Sequence, residues 1–234
     1  MIKFFRKIRQ KLLSENKFTK YLLYAIGEIT LVMIGILLAL QVNNWNEQKK
    51  LKKEYISDLK SIKENLEKDA INITTNIKNG TRYSSQLKER LKTESYFIEG
   101  SSIIMQISQP GLFFDDSGYT NAKNKNTLIY IQNDSLKNIF HEYYIRQIEI
   151  LQISADRLEK IATILKKHYL ESGLQKEEIS KNEIMNKLMK QGPFIDYLNF
   201  YVMERDDVIE ELYAMKDVNR LLSETIDIEL KKIE

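Results

Sequence analysis

The chain has 234 residues, with 36 Lys/Arg against 33 Asp/Glu, eight glycines, two prolines and no cysteine. Few helix breakers with abundant Lys, Glu, Ile, Leu and Asn give a helical composition and exclude a β-sandwich, a disulfide framework and a disordered chain. The positive charge is confined to the first 20 residues, which hold seven bases and one acid; residues 43–234 hold 29 bases and 31 acids, so no nucleic-acid partner is expected.

Residues 2–13, IKFFRKIRQKLL, place Phe5, Ile8, Leu12 and Leu13 on one side of a helix and Lys3, Arg6, Lys7, Arg9 and Lys11 mostly on the other. This is a basic amphipathic segment suited to an anionic leaflet, and equally a topology signal that holds the N-terminus inside. Ser14-Glu15-Asn16 breaks the pattern.

Residues 21–42, YLLYAIGEITLVMIGILLALQV, carry one formal charge, Glu28. At about 1.5 Å per residue the run covers roughly 33 Å, enough to cross a hydrocarbon core. A signal peptide fits less well, because the run is too long and no small-residue cleavage site follows. A buried core helix fits less well too, given the basic flank before it and Trp45 after it. Tyr21 and Trp45 are the expected aromatic anchors at the two interfaces, with Arg6, Lys7, Arg9 and Lys11 on the inner side. Seven bases before the span against five in residues 43–62 predict a cytoplasmic N-terminus. The remaining chain is then periplasmic, anchored in a bacterial inner membrane, with the lipid bilayer as its first partner.

Glu28 lies about 10 Å into the span. It is either protonated or reaching toward the near interface, or it contacts a second helix. Gly35 and Ala39 continue its stripe with small-xxx-small spacing, the pattern that lets two helix backbones approach. Glu28, Gly35 and Ala39 are therefore the candidate transmembrane association residues, with a homo-oligomer as the implied partner.

Beyond the span, Leu51, Tyr55, Leu59, Ile62, Leu66, Ala70, Ile73 and Ile77 recur at steps of three and four. This predicts one helix continuing out of the membrane, kinking or ending at Gly80, resuming at Ser84, Leu87 and Leu91, and fading near Thr93. The mixed core positions favour a helix of a bundle over a two-stranded coiled coil. Residues 94–133 read as an irregular insert, with turns at Gln109-Pro110-Gly111 and Asp115-Asp116-Ser117-Gly118. Within it, Leu112-Phe113-Phe114 are expected to be buried, residues 119–125 to form a helical turn, and Thr127–Ile131 to be strand-like. Asn133-Asp134 caps a strong helix running to about Glu171 and stopped by Gly173. A helix near 176–190 ends at Gly192-Pro193, and residues 194–232 form the last one, bending near Asp217-Val218-Asn219. The predicted fold class is all-α. Its three parts are a cytoplasmic segment (1–20), a transmembrane helix (21–42) and an extracytoplasmic helical bundle (43–234).

No catalytic constellation emerges. His141 and His168 stand 27 residues apart on one helix and cannot share a metal. Asp115 and Asp116 lack the further acids of a calcium loop. Tyr143, Tyr144, Tyr197, Phe200 and Tyr201 line either a pocket or, at that spacing, the bundle core. No cofactor, metal or enzymatic activity is expected. The expected role is an interaction or scaffold protein that self-associates or binds another envelope protein. The alternative is a sensor or ligand-binding module that signals through a partner.

The phrases Tyr24-Ala25-Ile26-Gly27-Glu28-Ile29, Ile34-Gly35-Ile36 and Gln41-Val42-Asn43-Asn44-Trp45-Asn46, with Arg9-Gln10-Lys11 before them, resemble the N-terminal region of a family of uncharacterised single-span proteins from Bacteroidota-type bacteria. A weaker likeness covers residues 119–145, where that family has a Ser- and Gly-containing turn and this chain has Lys125-Asn126-Thr127. The resemblance implies an inner-membrane anchor with a periplasmic helical domain and brings no catalytic residues.

Overall fold

The computed structural model describes residues 18–93, 107, 111–173 and 181–233. The basic segment with Arg6, Lys7, Arg9 and Lys11 lies outside them, as does the side chain of Tyr21. Every regular element described is helical: α1 (Phe18–Thr93), α2 (Ser117–Asn124), a 3-10 turn (Thr127–Tyr130), α3 (Asp134–His141), a π-helical segment (Glu142–Gln147), α4 (Ile148–Glu171), α5 (Lys181–Met189) and α6 (Gly192–Ile233). The chain divides into two compact units, Met1–Glu54 and Tyr55–Glu234, with the boundary inside α1.

In the first unit, α1 is long and apolar enough to cross a membrane, and none of its apolar window is buried. Leu23, Leu31, Leu37 and Val42 are all more than half exposed. In water each large apolar side chain left uncovered forgoes about 1.5–3 kcal/mol of burial; lipid removes that cost. Thr30 donates back to the Ile26 carbonyl at 2.9 Å, which keeps its hydroxyl satisfied within the helix. Trp45 follows the apolar run, with the Lys49 ammonium 4.3 Å from its ring centroid.

In the second unit, most residues of α1 expected to face a core do so: Tyr55, Leu59, Ile62, Leu66, Ile73, Ile77 and Leu87 are buried, while Ala70 and Leu91 are half-buried. The predicted inner face of α6, from Phe194 and Leu198 to Ile226 and Leu230, is buried as well. Leu151, Leu158, Ile161 and Leu165 do the same for α4. Asn133 caps α3 by accepting from the Ser135 and Leu136 amides, and Gly173 follows α4 with φ +68°.

Four expectations are corrected. Helix α1 passes Gly80 without interruption to Thr93. Gly80 instead marks a close approach, because a Cβ there would lie 3.0 Å from Ile209 Cγ1. Thr127–Tyr130 is a 3-10 turn, not a strand, since its Thr127 hydroxyl is drawn into polar contacts with α1. Phe113 is 80% exposed, because Asn72 holds its backbone carbonyl and leaves the ring outward. Gly192-Pro193 opens α6 rather than closing α5, proline being tolerated in a first turn. Helix α6 is continuous through Asp217-Val218-Asn219, where Asn219 is a buried amide facing the core.

The region expected to be an irregular insert contains α2, which is held unusually close to α1. A Cβ on Gly118 would fall 2.5 Å from Asn65 Oδ1 and 2.9 Å from the Ile62 backbone nitrogen. Helix backbone cannot yield as a side chain can. Gly118→Ala is expected to lower the unfolding free energy by about 1–3 kcal/mol through overpacking. Gly27→Ala, with nothing within 4 Å of its Cβ, should not lower it. Denaturant unfolding of the micelle-solubilised chain measures both.

Candidate functional site

The most organised polar feature of the second unit starts from four α1 residues. Asn65, Asp69, Asn72 and Asn76 follow at steps of four, three and four and so share one face of the helix. Each meets the segment 111–118. Asn76 donates to the Gly111 carbonyl at 3.3 Å and Asn72 to the Phe113 carbonyl at 2.5 Å. Asp69 Oδ1 accepts from the Asp115 amide at 3.1 Å. Asn65 donates to Asp115 Oδ2 at 2.6 Å and accepts from the Gly118 amide at 2.9 Å. The stretch leading into α2 is thereby held by side chains, one helical turn of α1 after another.

A second layer lies deeper. Tyr143, on the π segment, donates from its hydroxyl to Asp69 Oδ2 at 2.9 Å and accepts from the Asn219 amide of α6 at 3.1 Å. The Asn219 amide also reaches the Leu66 carbonyl at 3.1 Å. Tyr144 stacks on Tyr119 with ring centroids 4.2 Å apart and stands edge-on to Tyr143. Below this layer, Asp58 accepts from Lys125 at 2.8 Å and from the Thr127 hydroxyl at 2.7 Å, tying the turn after α2 to α1. Asn126 sits there in the left-handed region at φ 59°, which asparagine accepts more readily than most residues.

The electrostatics follow from depth. Burial raises the Asp69 carboxyl above the usual carboxylate range, opposed by its hydrogen bonds from the Asp115 amide and Tyr143. Asp115, at the rim, is held below that range by Ser117 and, more weakly, by Lys68. Burial beside Asp69 pushes the Tyr143 phenol well up, so it stays a neutral donor.

A partly open cavity of about 160 Å³ lies near the Asn76 end of the polar stripe. Asn76, Asn79, Gly80 and Tyr83 of α1, Gly111, Leu158 of α4, and Arg205, Val208, Ile209 and Leu212 of α6 line it.

The predicted association residues are not part of these features. Glu28 is partly covered, whereas Gly35 and Ala39 are exposed on α1 in the first unit. The five aromatics do not line one pocket: Tyr143, Tyr144 and Tyr201 are buried in the core, and Tyr197 packs near His168 at 5.5 Å. Among the described residues, no group of three or more His, Cys, Asp or Glu is placed to hold a metal ion. Sequence reasoning missed the polar stripe, although its spacing was visible; it was passed over because four amides and carboxylates on a helix ordinarily face solvent.

A family profile described as a family of unknown function, DUF6090, matches residues 28–169. The matched segment includes the apolar run from Glu28 onward, the whole polar stripe and Tyr143. No curated protein and no solved structure matches the chain.

The pH dependence has a defined sign. The folded-state pKa of Asp69 is raised, so this group's contribution to stability falls as pH rises from the ordinary carboxylate range through the raised value. Asp115 is depressed, and its contribution is lost as pH falls through its folded value. A carbon-13 carboxyl titration is expected to find Asp69 protonating before Asp115 on acidification. Tyr143→Phe removes one donor to Asp69 and one acceptor for Asn219; it should cost about 1–3 kcal/mol and move the Asp69 midpoint further up.

Proposed function

The chain belongs to DUF6090, a family of unknown function, and we propose that it is a membrane-anchored interaction protein of the bacterial cell envelope. In this reading the apolar part of α1 crosses the inner membrane once, with the N-terminus cytoplasmic and the helical bundle periplasmic. The chain works by association rather than catalysis, with copies of itself or with another envelope protein. The observation that carries the reading is the uncovered apolar helix, in which a Cβ at Gly27 or Gly35 would meet nothing within 4 Å. Among the described residues neither glycine serves packing within the chain, so we read a constraint on Gly35 as coming from a neighbour in the bilayer.

Glu28, Gly35 and Ala39 form the proposed contact stripe. Interhelical hydrogen bonds in bilayers average about 0.6 kcal/mol and reach roughly 1–2, so losing one weakens association several-fold. Forcing the backbones apart removes packing along the whole stripe. The expected order of damage is Gly35→Ile worst, Glu28→Leu intermediate and Glu28→Gln mildest, read in a transmembrane-association assay. Unchanged association in Gly35→Ile removes the stripe as an interface. Protease accessibility in spheroplasts checks the orientation: digestion of the C-terminal bundle from outside is expected, and protection reverses the assignment.

A second reading, a ligand-responsive module, draws support from the partly open cavity in the second unit.

A further inference from the structure

The cavity between α1, α4 and α6 has a chemistry that the association reading does not use. Its floor is aliphatic: Leu158, Val208 and Leu212 are each buried at 2% exposure or less. Its α1 wall is polar. Asn76 is committed to Asn72 and to the Gly111 carbonyl, while Asn79, the next residue along that wall, lines the cavity with a second amide. The remaining wall carries a cation. Arg205 is only 4% exposed, donates to the Tyr201 hydroxyl at 2.6 Å, and lies 5.7 Å from the Tyr83 ring centroid and 5.1 Å from that of Tyr201. The Tyr83 and Tyr201 rings and the Tyr201 hydroxyl help to fix the guanidinium in place, so its orientation costs a ligand little.

We propose that this cavity binds a small monocarboxylate with a compact apolar body, of the size of benzoate. The volume of about 160 Å³ is close to that of an engineered apolar cavity of roughly 150 Å³ that accepts benzene. Leu158, Val208 and Leu212 take the apolar body; Asn79 and Arg205 take the carboxylate. An apolar floor facing convergent polar groups gives such a ligand both its body contact and its orientation. The inference deepens the ligand-responsive reading and rests on it only for its biological purpose; binding itself is independent of transmembrane association.

The test titrates benzoate, benzamide and toluene into the full chain in nanodiscs, following the methyl resonances of Leu158, Val208, Ile209 and Leu212. Saturable shifts of these methyls by benzoate, with benzamide and toluene at least about tenfold weaker, are expected. Asn79→Ala, at a half-buried position that folding tolerates, should weaken benzoate about five-fold, one hydrogen bond's worth. Val208→Phe, which fills the floor, should abolish the shifts while the helical circular-dichroism signal is kept. Absence of saturable shifts with the unmodified chain overturns the proposal, as does equal binding of benzoate and benzamide. Both results are obtained with association intact, so failure here is separate from failure of the Gly35 stripe.

Discussion

The Asp69 carboxylate is the constraint on which the second unit depends. It accepts from the Asp115 amide with one oxygen and from the Tyr143 hydroxyl with the other, while Tyr143 in turn accepts from Asn219. Four stretches of chain meet at this group: α1, the segment before α2, the π segment and α6. A buried carboxylate is costly without partners, and removing one partner of such a network leaves the others unsatisfied in a low dielectric. Apolar packing brings the helices together, but many rotations of a helix bury similar area. The polar network selects one, since only one rotation of α6 brings Asn219 to both Tyr143 and the Leu66 carbonyl.

The two units use the same helix under opposite solvent rules. From Leu22 to Val42 every large apolar side chain faces outward, and hydrogen bonds such as Thr30 to Ile26 stay within the helix. From Tyr55 onward the apolar stripe turns to a protein core and the polar stripe of Asn65, Asp69, Asn72 and Asn76 binds another segment. Ion pairs around this core, such as Lys63 with Asp227 at 2.5 Å, sit at partly exposed positions, where solvent limits them to modest contributions.

The elements with strong 3.6-residue periodicity were legible from the sequence: the faces of α1, α4 and α6 were found because burial repeats along many turns and errors at single positions average out. The Asn133 cap and the Gly173 stop were legible because each rests on one local backbone requirement. What escaped depends on contacts between residues far apart in sequence. Gly80 reads as a breaker until Ile209 is brought against it. Asn219 shows no partners in the sequence; Tyr143 and Leu66 supply them in the fold. Thr127–Ile131 has strand composition, yet Asp58, 69 residues before Thr127, claims its hydroxyl. The candidate polar site failed to register for the same reason, being half composed of backbone groups that carry no signature in the side-chain alphabet.

The π segment at Glu142–Gln147 has a geometric consequence of its own. A π turn accommodates one residue more than an α turn, so the chain emerging from it lags by about 100° of rotation. The helix before and after this point therefore addresses different neighbours: Phe140 turns toward Tyr119 at 5.8 Å, while Ser154 and Arg157 turn toward Glu211 and Glu204 of α6. One supernumerary residue acts as a phase shifter between two interfaces. Two consecutive tyrosines of this segment point inward, Tyr143 to the carboxylate and Tyr144 to the aromatic stack.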